Sequence, residues 1–429
     1  MKQIIQTNTK LFDDFFYLED LYPLKNNSFK KKNIGINLII FFFNLIKVII
    51  KFFINFKLKQ NKLYFKEKVF FSHINPSFLI DKKEKYFGNL ISDNRDILYI
   101  NHTKKHIITD EFQVFPKSLS IDLEFKIMMK LFKDFIYFLY LIITQFKSKK
   151  YYFFFLVNFI SPSSVLNLRY YYAIINNFLG KNIQNIFITF EGYAYERAII
   201  KSSKNIGCKI FAYQHGALNK YNISVFYKLN NKLMPNKIFT SGFITYNYFL
   251  DKGFSKSEIC LLGSNRKKNI SIKPILNENY LIIPNGSFVE HEKLYKYILK
   301  ISQKKQDSKF YFKTHPDKLF NKNYQSKDNL IMVNQFSERL FKNCKYCIYT
   351  SSSYVISCIN FGMIPLFFNY KGYEDNILVN FNDYIEIKEN DNYEFDINAY
   401  NKIKMKLSNF ADNYYTDLDV DKFNTVLNN

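Results

Sequence analysis

A glutamate followed by a glycine lies directly after one of the most apolar short runs of the chain. Ile186–Phe190 (IFITF) is rich in β-branched and aromatic residues, which predicts a strand that ends at Glu191-Gly192. In open α/β sheets ligands bind beyond the carboxyl ends of the strands, so Glu191 can act there as a general base, with the Gly192 backbone near the ligand. Glu196 is the second carboxylate expected to face this cleft. A structural role, in which Glu191 caps the next helix, stays open.

The next loop carries a histidine, one of only six in the chain. Lys209–Tyr213 predicts the neighbouring strand, and Gln214-His215-Gly216 follows it directly. His215 can hydrogen-bond a phosphate or a sugar hydroxyl or share in proton transfer, and Gly216 lets the backbone approach a ligand. We predict that His215 is a cleft residue and that Gln214 and Gly216 bind the substrate beside it. The alternative is a capped strand and a tight turn.

A second histidine stands at a later strand end. Phe310–Lys313 predicts a strand, and Pro316 restricts the preceding His315 to extended backbone. An imidazole held in this way beside Lys313 suits a diphosphate or phosphodiester group. The structural alternative is an exposed loop histidine.

A run of four hydroxyl residues follows another short apolar segment. Thr350-Ser351-Ser352-Ser353 comes after Tyr346–Tyr349 and precedes a predicted helix. Hydroxyls and free backbone N–H groups at such a position can form a phosphate cradle. Ordinary helix capping, which needs only one of these residues, is the alternative.

Short apolar strands alternate with helices around all four loops. Strand, helix and strand at this spacing form a βαβ unit, which implies a parallel sheet. The predicted strands are Ile97–Ile100, Ile186–Phe190, Lys209–Tyr213, Lys237–Thr240, Ile259–Leu262, Tyr280–Ile283, Phe310–Lys313, Leu330–Val333, Tyr346–Tyr349 and Ile364–Phe368. The predicted fold class is therefore α/β, with two Rossmann-like doubly wound domains facing a ligand cleft.

The boundaries follow changes in composition. Residues 1–85 mix basic and aromatic stretches and are assigned to an N-terminal extension, and residues 86–265 to the first domain. The polar, basic segment 266–279 is the predicted linker. Residues 280–390 form the second domain and 391–429 a C-terminal helical tail.

Composition limits the classes of partner. The net charge of +24 over 429 residues favours anionic partners, whereas no nucleic-acid-binding motif accompanies it. The five cysteines are odd in number, and Cys344-x-x-Cys347 has no second ligand pair. We therefore predict structural cysteines, no metal site and no nucleic-acid partner.

Two apolar segments raise the question of a membrane. Asn37–Phe56 contains two lysines, and Phe135–Thr144 is flanked by lysines and has about half the length of a spanning helix. Helices that lie on an anionic membrane face and helices inside a large domain both fit, and a true span is disfavoured. The predicted location is cytoplasmic, peripheral on the inner face of the cytoplasmic membrane.

Together the four loops, in this order across two Rossmann-like domains, resemble the GT-B glycosyltransferases of bacterial surface-polysaccharide (capsule and lipopolysaccharide) biosynthesis. The resemblance is to the CMP-sugar-using polysialyltransferase and Kdo-transferase type, while Gln-His-Gly looks more like surface carbohydrate biosynthesis proteins. It implies that Glu191 is the base, that His315 contacts the phosphate, and that Ser351, Ser352 and Ser353 hold it. The first domain would then bind the acceptor and the second the nucleotide.

The resemblance implies an inverting, metal-independent glycosyltransferase. It would move a sugar from a nucleotide-sugar, with a CMP-sugar favoured, to a lipid-linked surface-glycan acceptor at an anionic membrane. The nucleotide-sugar is a substrate, so no cofactor is expected. Two alternatives remain: a cytidine-nucleotide-dependent polyol-phosphate transferase of teichoic-acid type, and a non-catalytic GT-B-like binding or assembly protein.

Overall fold

Two parallel β-sheets with helices between their strands make up the described part of the chain. The computed structural model describes residues 16–18, 34–54, 67–73, 86–91, 96–100, 113–115, 119–144, 159, 162–219, 223–267, 277–284, 288–314, 326–369, 376–378, 384–388 and 397–428.

The first sheet has seven strands in the order β3-β2-β1-β4-β5-β6-β7, and every neighbouring pair is parallel. The strands are β1 (Lys68–His73), β2 (Asp96–Ile100), β3 (Gln113–Phe115), β4 (Asn185–Thr189), β5 (Lys209–Gln214), β6 (Lys237–Thr240) and β7 (Ile259–Leu261). All five residues of β4 are buried. Because helices cover both faces of a parallel sheet, its strands are continuous apolar runs without alternation.

The second sheet has six strands in the order β10-β9-β8-β11-β12-β13, again all parallel. The strands are β8 (Tyr280–Ile283), β9 (Phe310–Lys313), β10 (Leu330–Val333), β11 (Tyr346–Tyr349), β12 (Ile364–Asn369) and β13 (Ile385–Lys388). Four buried residues in each of β8 and β11 form the centre of this domain's core.

Helices lie between many of the consecutive strands and form the C-terminal end of the described chain. They are α1 (Ile34–Phe53), α2 (Ile121–Thr144), α3 (Pro162–Phe178), α4 (Ala194–Asn205), α5 (Ile223–Phe226), α6 (Phe243–Asp251), α7 (Phe288–Lys304), α8 (Glu338–Lys342), α9 (Tyr354–Asn360), α10 (Ile397–Tyr414) and α11 (Val420–Asn428). Two doubly wound parallel sheets confirm the predicted α/β fold of two Rossmann-like domains.

Part of the segment assigned to an N-terminal extension belongs to the first domain. Strand β1 lies in the interior of the first sheet, between β2 and β4, so the sheet begins before residue 86. Phe16, Tyr17 and Leu18 are buried in the same core, and the Tyr17 hydroxyl donates a 2.5 Å hydrogen bond to Asp134 on α2.

The C-terminal helices connect the two domains. Helix α10 packs against α9 of the second domain and α6 of the first. Helix α11 returns to the first domain, where Phe423 packs against Phe187 and Phe239. The chain between them passes so close to Gly263 that a Cβ there would lie 1.9 Å from the carbonyl oxygen of Asp417. The predicted helical tail thus crosses the domain junction, and we call residues 397–428 the C-terminal strap.

All five cysteines are buried free thiols. Burial raises the pKa of Cys208 to about 11 and raises the pKa of Cys344 as well, so these two thiols stay protonated at neutral pH. Among the described residues, no cluster of histidine, cysteine and carboxylate side chains has the geometry of a metal site.

The described part of the first apolar segment lies in α1, the second forms most of the C-terminal half of α2, and the two helices pack side by side. One stripe of each helix enters the core, for example Phe41 on α1 and Leu131 on α2. The opposite stripe of each is exposed and also apolar. No helix in the described part of the chain combines the length and the apolarity needed to cross a bilayer.

Candidate functional site

Glu191 lies in a tight turn at the carboxyl end of β4. Gly192 has a φ of +79°, a conformation that favours glycine, and the turn leaves 30% of the Glu191 side chain exposed. Burial of the rest raises the pKa of its carboxyl, although a hydrogen bond with the Tyr193 hydroxyl and the charge of Arg266 partly oppose this. The result is a carboxylate that reaches solvent and is more basic than an ordinary glutamate.

Glu196 positions this turn from below. Its side chain is fully buried, and its carboxylate accepts hydrogen bonds from the backbone N–H groups of Glu191 (2.9 Å) and Tyr193 (2.9 Å). Burial, and then the charge of Glu191, raise the pKa of Glu196 to about 8. The structure therefore places Glu196 inside the loop as a helix-capping group, whereas the sequence predicted that it would face the cleft.

Arg197 fixes the other side of the turn. Its guanidinium is buried and donates to the carbonyl oxygens of Gly192 (2.8 Å), Phe16 (3.1 Å) and Leu18 (2.7 Å). The turn that presents Glu191 is thus tied to the N-terminal segment 16–18.

His215 meets Glu191 from the next strand. The imidazole Nε2 lies 3.4 Å from Oε1 of Glu191, and the Tyr86 ring packs edge-on against the imidazole at 4.2 Å between centroids. A Cβ on Gly216 would lie only 2.8 Å from Oε1 of Glu191, so the lack of a side chain at Gly216 leaves room for the Glu191 carboxylate. Because β4 and β5 are adjacent and parallel, their carboxyl ends bring the two side chains together.

Gln214 shapes the histidine loop from inside the protein. It is fully buried, donates through Nε2 to the Gly216 carbonyl, and accepts a 3.2 Å hydrogen bond from the Ser241 hydroxyl. Its side chain organises the loop, whereas the sequence predicted a ligand-binding role.

The same loop also touches the second domain. The Asn219 amide donates a 3.2 Å hydrogen bond to the carbonyl of Asn376, and the Tyr414 hydroxyl of α10 donates to the carbonyl of Leu218. The Asn376 amide oxygen in turn accepts a 2.8 Å hydrogen bond from the Tyr349 hydroxyl at the end of β11. The histidine loop is therefore held by contacts with both domains.

The first loop of the second domain is only partly described. Lys313 is buried, donates through Nζ to the Thr314 carbonyl, and places Nζ 5.1 Å from the centroid of the Phe336 ring. His315 and Pro316 lie outside the described residues, so the phosphate contact predicted for His315 stays a prediction.

The hydroxyl run follows β11 at the domain junction. Thr350 is buried and its N–H donates to Ile283 at 3.4 Å, so it belongs to the sheet edge. Ser351, Ser352 and Ser353 are half-buried, and Ser352 Oγ accepts from the N–H of Tyr354 at 3.4 Å. The structure thus leaves the three serines accessible at the start of α9.

Sequence reasoning missed Arg266, which it assigned to the linker. Nη1 of Arg266 lies 3.4 Å from the Ser353 hydroxyl and 3.2 Å from the Tyr415 hydroxyl. Arg266 belongs to a polar run, Gly263–Arg266, that directly follows β7. Glu191 was selected because it follows the carboxyl end of a strand, and the same criterion applied to β7 would have selected Arg266.

No protein-family model and no curated protein sequence matches this chain. Solved structures with a similar course of the chain include the UDP-N-acetylglucosamine 2-epimerase from Rickettsia bellii, with 9% identity, coverage of 83% of this chain and 90% of that one, and a TM-score of 0.42. The glycosyltransferase SnogD from Streptomyces nogalater has 7% identity, coverage of 81% and 94%, and a TM-score of 0.43. The lipopolysaccharide outer core galactosyltransferase WaaB has 9% identity, coverage of 84% and 99%, and a TM-score of 0.39. These likenesses are weak, and the functional argument rests on the site itself.

Proposed function

We propose that this protein is an inverting glycosyltransferase that uses a nucleotide-sugar donor and the carboxylate of Glu191 as its base. The observation that carries the proposal is the pairing of Glu191 with His215 at 3.4 Å, on the carboxyl ends of adjacent parallel strands. A partly exposed carboxylate of raised pKa beside an imidazole is suited to taking a proton from an acceptor hydroxyl.

In the proposed reaction, Glu191 takes the proton of the acceptor hydroxyl as its oxygen attacks the anomeric carbon. The bond from that carbon to the donor phosphate breaks with inversion, and the nucleotide leaves with its bonding electrons. His215 hydrogen-bonds the carboxyl that has received the proton, and Gly216 leaves room for the Glu191 side chain to stay beside it. His315, Ser351, Ser352 and Ser353 remain the proposed phosphate contacts, without a metal ion or other cofactor.

A direct test of the base is Glu191→Gln, which keeps the size of the side chain and removes its basicity. We expect turnover to fall by about 10²- to 10⁴-fold, with nucleotide affinity unchanged. Glu258→Gln is the matched control, because this carboxylate pairs with Lys228 at 2.7 Å away from the site. Wild-type turnover in Glu191→Gln would refute the role of Glu191.

The identity of the donor is a separate part of the proposal, and we favour a CMP-sugar. A thermal-shift screen with CMP, CDP, UDP, GDP and dTDP, followed by turnover with the matching sugar nucleotides, tests it. Stabilisation by CMP and consumption of a CMP-sugar are expected. Stabilisation by UDP or GDP with sugar transfer would replace the donor, consumption of a CDP-polyol would indicate the polyol-phosphate transferase, and nucleotide binding without turnover would indicate a binding protein.

We propose a lipid-linked surface-glycan acceptor, because α1 and α2 form a surface suited to an anionic membrane. This membrane face consists of the exposed apolar side chains Ile39, Ile40, Phe42, Phe43, Ile46, Ile50, Phe53 and Ile54 on or just after α1, and Met129, Phe132, Ile136, Tyr137, Tyr140 and Ile143 on α2. Exposed apolar patches of this kind mark interaction sites.

Charge around the membrane face favours acidic lipids. The exposed charged side chains described on the two helices are Lys47, Lys126, Lys133 and Asp122. The remaining acids of α2, Asp134 and Glu124, are buried and paired with Lys130 and Arg169. Lysines that flank an apolar stripe place their ammonium groups among anionic headgroups while the stripe enters the acyl region.

Vesicle co-sedimentation of the full chain tests the membrane face. We expect binding to vesicles rich in phosphatidylglycerol, weaker binding to phosphatidylcholine, and loss of binding in Phe43→Glu/Ile143→Glu. Met405→Glu is the matched control, because Met405 is 83% exposed on α10, outside the membrane face. Equal sedimentation of the double variant and the control, or a wild-type chain that stays in the supernatant, would refute this surface as the membrane contact.

A further inference from the structure

Arg266 occupies the junction between the two halves of the site. It follows β7 of the first domain, and its Nη1 reaches Ser353 at the start of α9 in the second domain and Tyr415 in the C-terminal strap. Its charge also acts on Glu191, whose pKa it lowers against the larger effect of burial. The same cation thus contacts one of the proposed phosphate-binding serines and acts electrostatically on the proposed base.

The partners of this guanidinium are neutral. The described residues place no carboxylate within ion-pair distance of Arg266, although the next residue, Lys267, pairs with Asp412 at 3.1 Å. Both hydrogen bonds to Ser353 and Tyr415 use Nη1, so among the described residues Nε and Nη2 have no acceptor. A half-buried arginine with unused donors has lost part of its hydration without gaining an anion.

The shape of the group indicates which anion fits. Guanidinium presents its N–H groups as a planar fork that matches the oxygens of a phosphate in pairs. The Tyr415 ring, with its centroid 5.9 Å from Cζ, and the two neutral hydroxyls hold this fork in place without consuming its charge. The remaining Nε and Nη2 edge is therefore the part available for a bidentate contact.

We propose that Arg266 binds the phosphate of the donor nucleotide, with Ser353 beside it, and neutralises the charge that develops as the nucleotide leaves. This inference rests on the proposed function and adds to it the cation for the leaving group, which comes from the domain-joining segment. Phosphate bound here contacts both domains, so donor binding would also hold the cleft in one arrangement.

The test measures the affinity of the full chain for inorganic pyrophosphate, for the nucleotide that stabilises it most, and for the matching nucleoside. In Arg266→Gln we expect pyrophosphate and nucleotide to bind on the order of tenfold to a hundredfold more weakly, with nucleoside affinity unchanged. Arg266→Lys keeps the charge without the fork, and a smaller loss is expected. Lys267→Gln, which removes the adjacent cation, should bind all three ligands as the wild type does.

Each outcome separates this inference from the proposed function. If Arg266→Gln or Arg266→Lys binds both phosphate ligands as tightly as the wild type, or if nucleoside affinity falls in parallel, the phosphate role of Arg266 is wrong. A wild-type chain that binds no pyrophosphate also overturns it. If pyrophosphate binding depends on Arg266 but no nucleotide binds, the anion site at Arg266 is supported and the proposed nucleotide-sugar function is wrong.

Discussion

Replacement of Glu196 by glutamine provides a test of how the Glu191 turn is built. The Glu196 carboxylate is buried beneath the turn and accepts the backbone N–H groups of Glu191 and Tyr193. Burial and the Glu191 charge raise its pKa from 4.5 to about 8, so near neutral pH it is mainly protonated in the folded chain. Glutamine copies the shape and neutrality of that protonated acid and cannot ionise.

The sign of the effect follows from proton binding. Between the unfolded pKa of 4.5 and the folded pKa of about 8, the folded chain binds more protons, so ionisation of Glu196 lowers stability as the pH rises. One proton changes the free energy of unfolding by up to about 1.4 kcal/mol per pH unit. From about pH 5.5 to about pH 7.5, the wild type should therefore lose about 2–3 kcal/mol relative to Glu196→Gln.

Urea unfolding at the two pH values measures this gap. Because the chain has no tryptophan, far-UV circular dichroism is the appropriate signal. We expect Glu196→Gln to match the wild type at the lower pH and to exceed it at the higher one. The control Glu258→Gln removes a carboxylate of lowered pKa, which titrates below this range and should leave the pH dependence unchanged. A difference between Glu196→Gln and wild type that is the same at both pH values would refute the buried, protonated Glu196.

Three further substitutions probe the site and its supports. Gly216→Ala places a Cβ 2.8 Å from Oε1 of Glu191, which must then move. Because a displacement of the base by about 1 Å is sufficient, we expect turnover to fall on the order of a hundredfold with nucleotide affinity unchanged. Wild-type turnover in this variant would contradict the expectation. Gly242→Ala places a Cβ 2.1 Å from the Tyr414 carbonyl oxygen, and unfolding should require about 1–3 kcal/mol less, with faster proteolysis of the C-terminal strap. Phe423→Ala removes a buried ring from the α11 contact, and we expect a loss of about 3–5 kcal/mol in urea unfolding. An unchanged urea midpoint in Gly242→Ala or in Phe423→Ala would contradict the packing of the C-terminal strap against the first domain.

Local sequence was sufficient for most of the strands near the proposed site. Lys237–Thr240, Tyr280–Ile283, Phe310–Lys313, Leu330–Val333 and Tyr346–Tyr349 form strands with the predicted bounds. Each is a short apolar run, and all of them except the edge strand Leu330–Val333 are mostly buried. Burial on both faces of a parallel sheet produces that pattern without information from elsewhere.

The elements that were missed depend on partners far away in the chain. Strand β1 (KVFFSH) lies in a basic, aromatic stretch, and only its pairing with β2 and β4 identifies it as an interior strand. Helices α10 and α11 were predicted as a tail, but they pack across both domains. Such contacts are set by topology, which local propensity does not encode.

What the sequence determined by itself is which loops carry reactive residues, because strand ends and turn glycines are local features. Glu191, His215 and the serine run were placed correctly at carboxyl ends of strands for that reason. Only the tertiary structure decided where each side chain points. Glu196 and Gln214 point inward and hydrogen-bond within their loops, and Arg266, which was predicted to lie in the linker, lies at the domain junction. The physical reason is that hydrogen bonds and burial choose between neighbouring side chains, and both depend on residues from the other side of the fold.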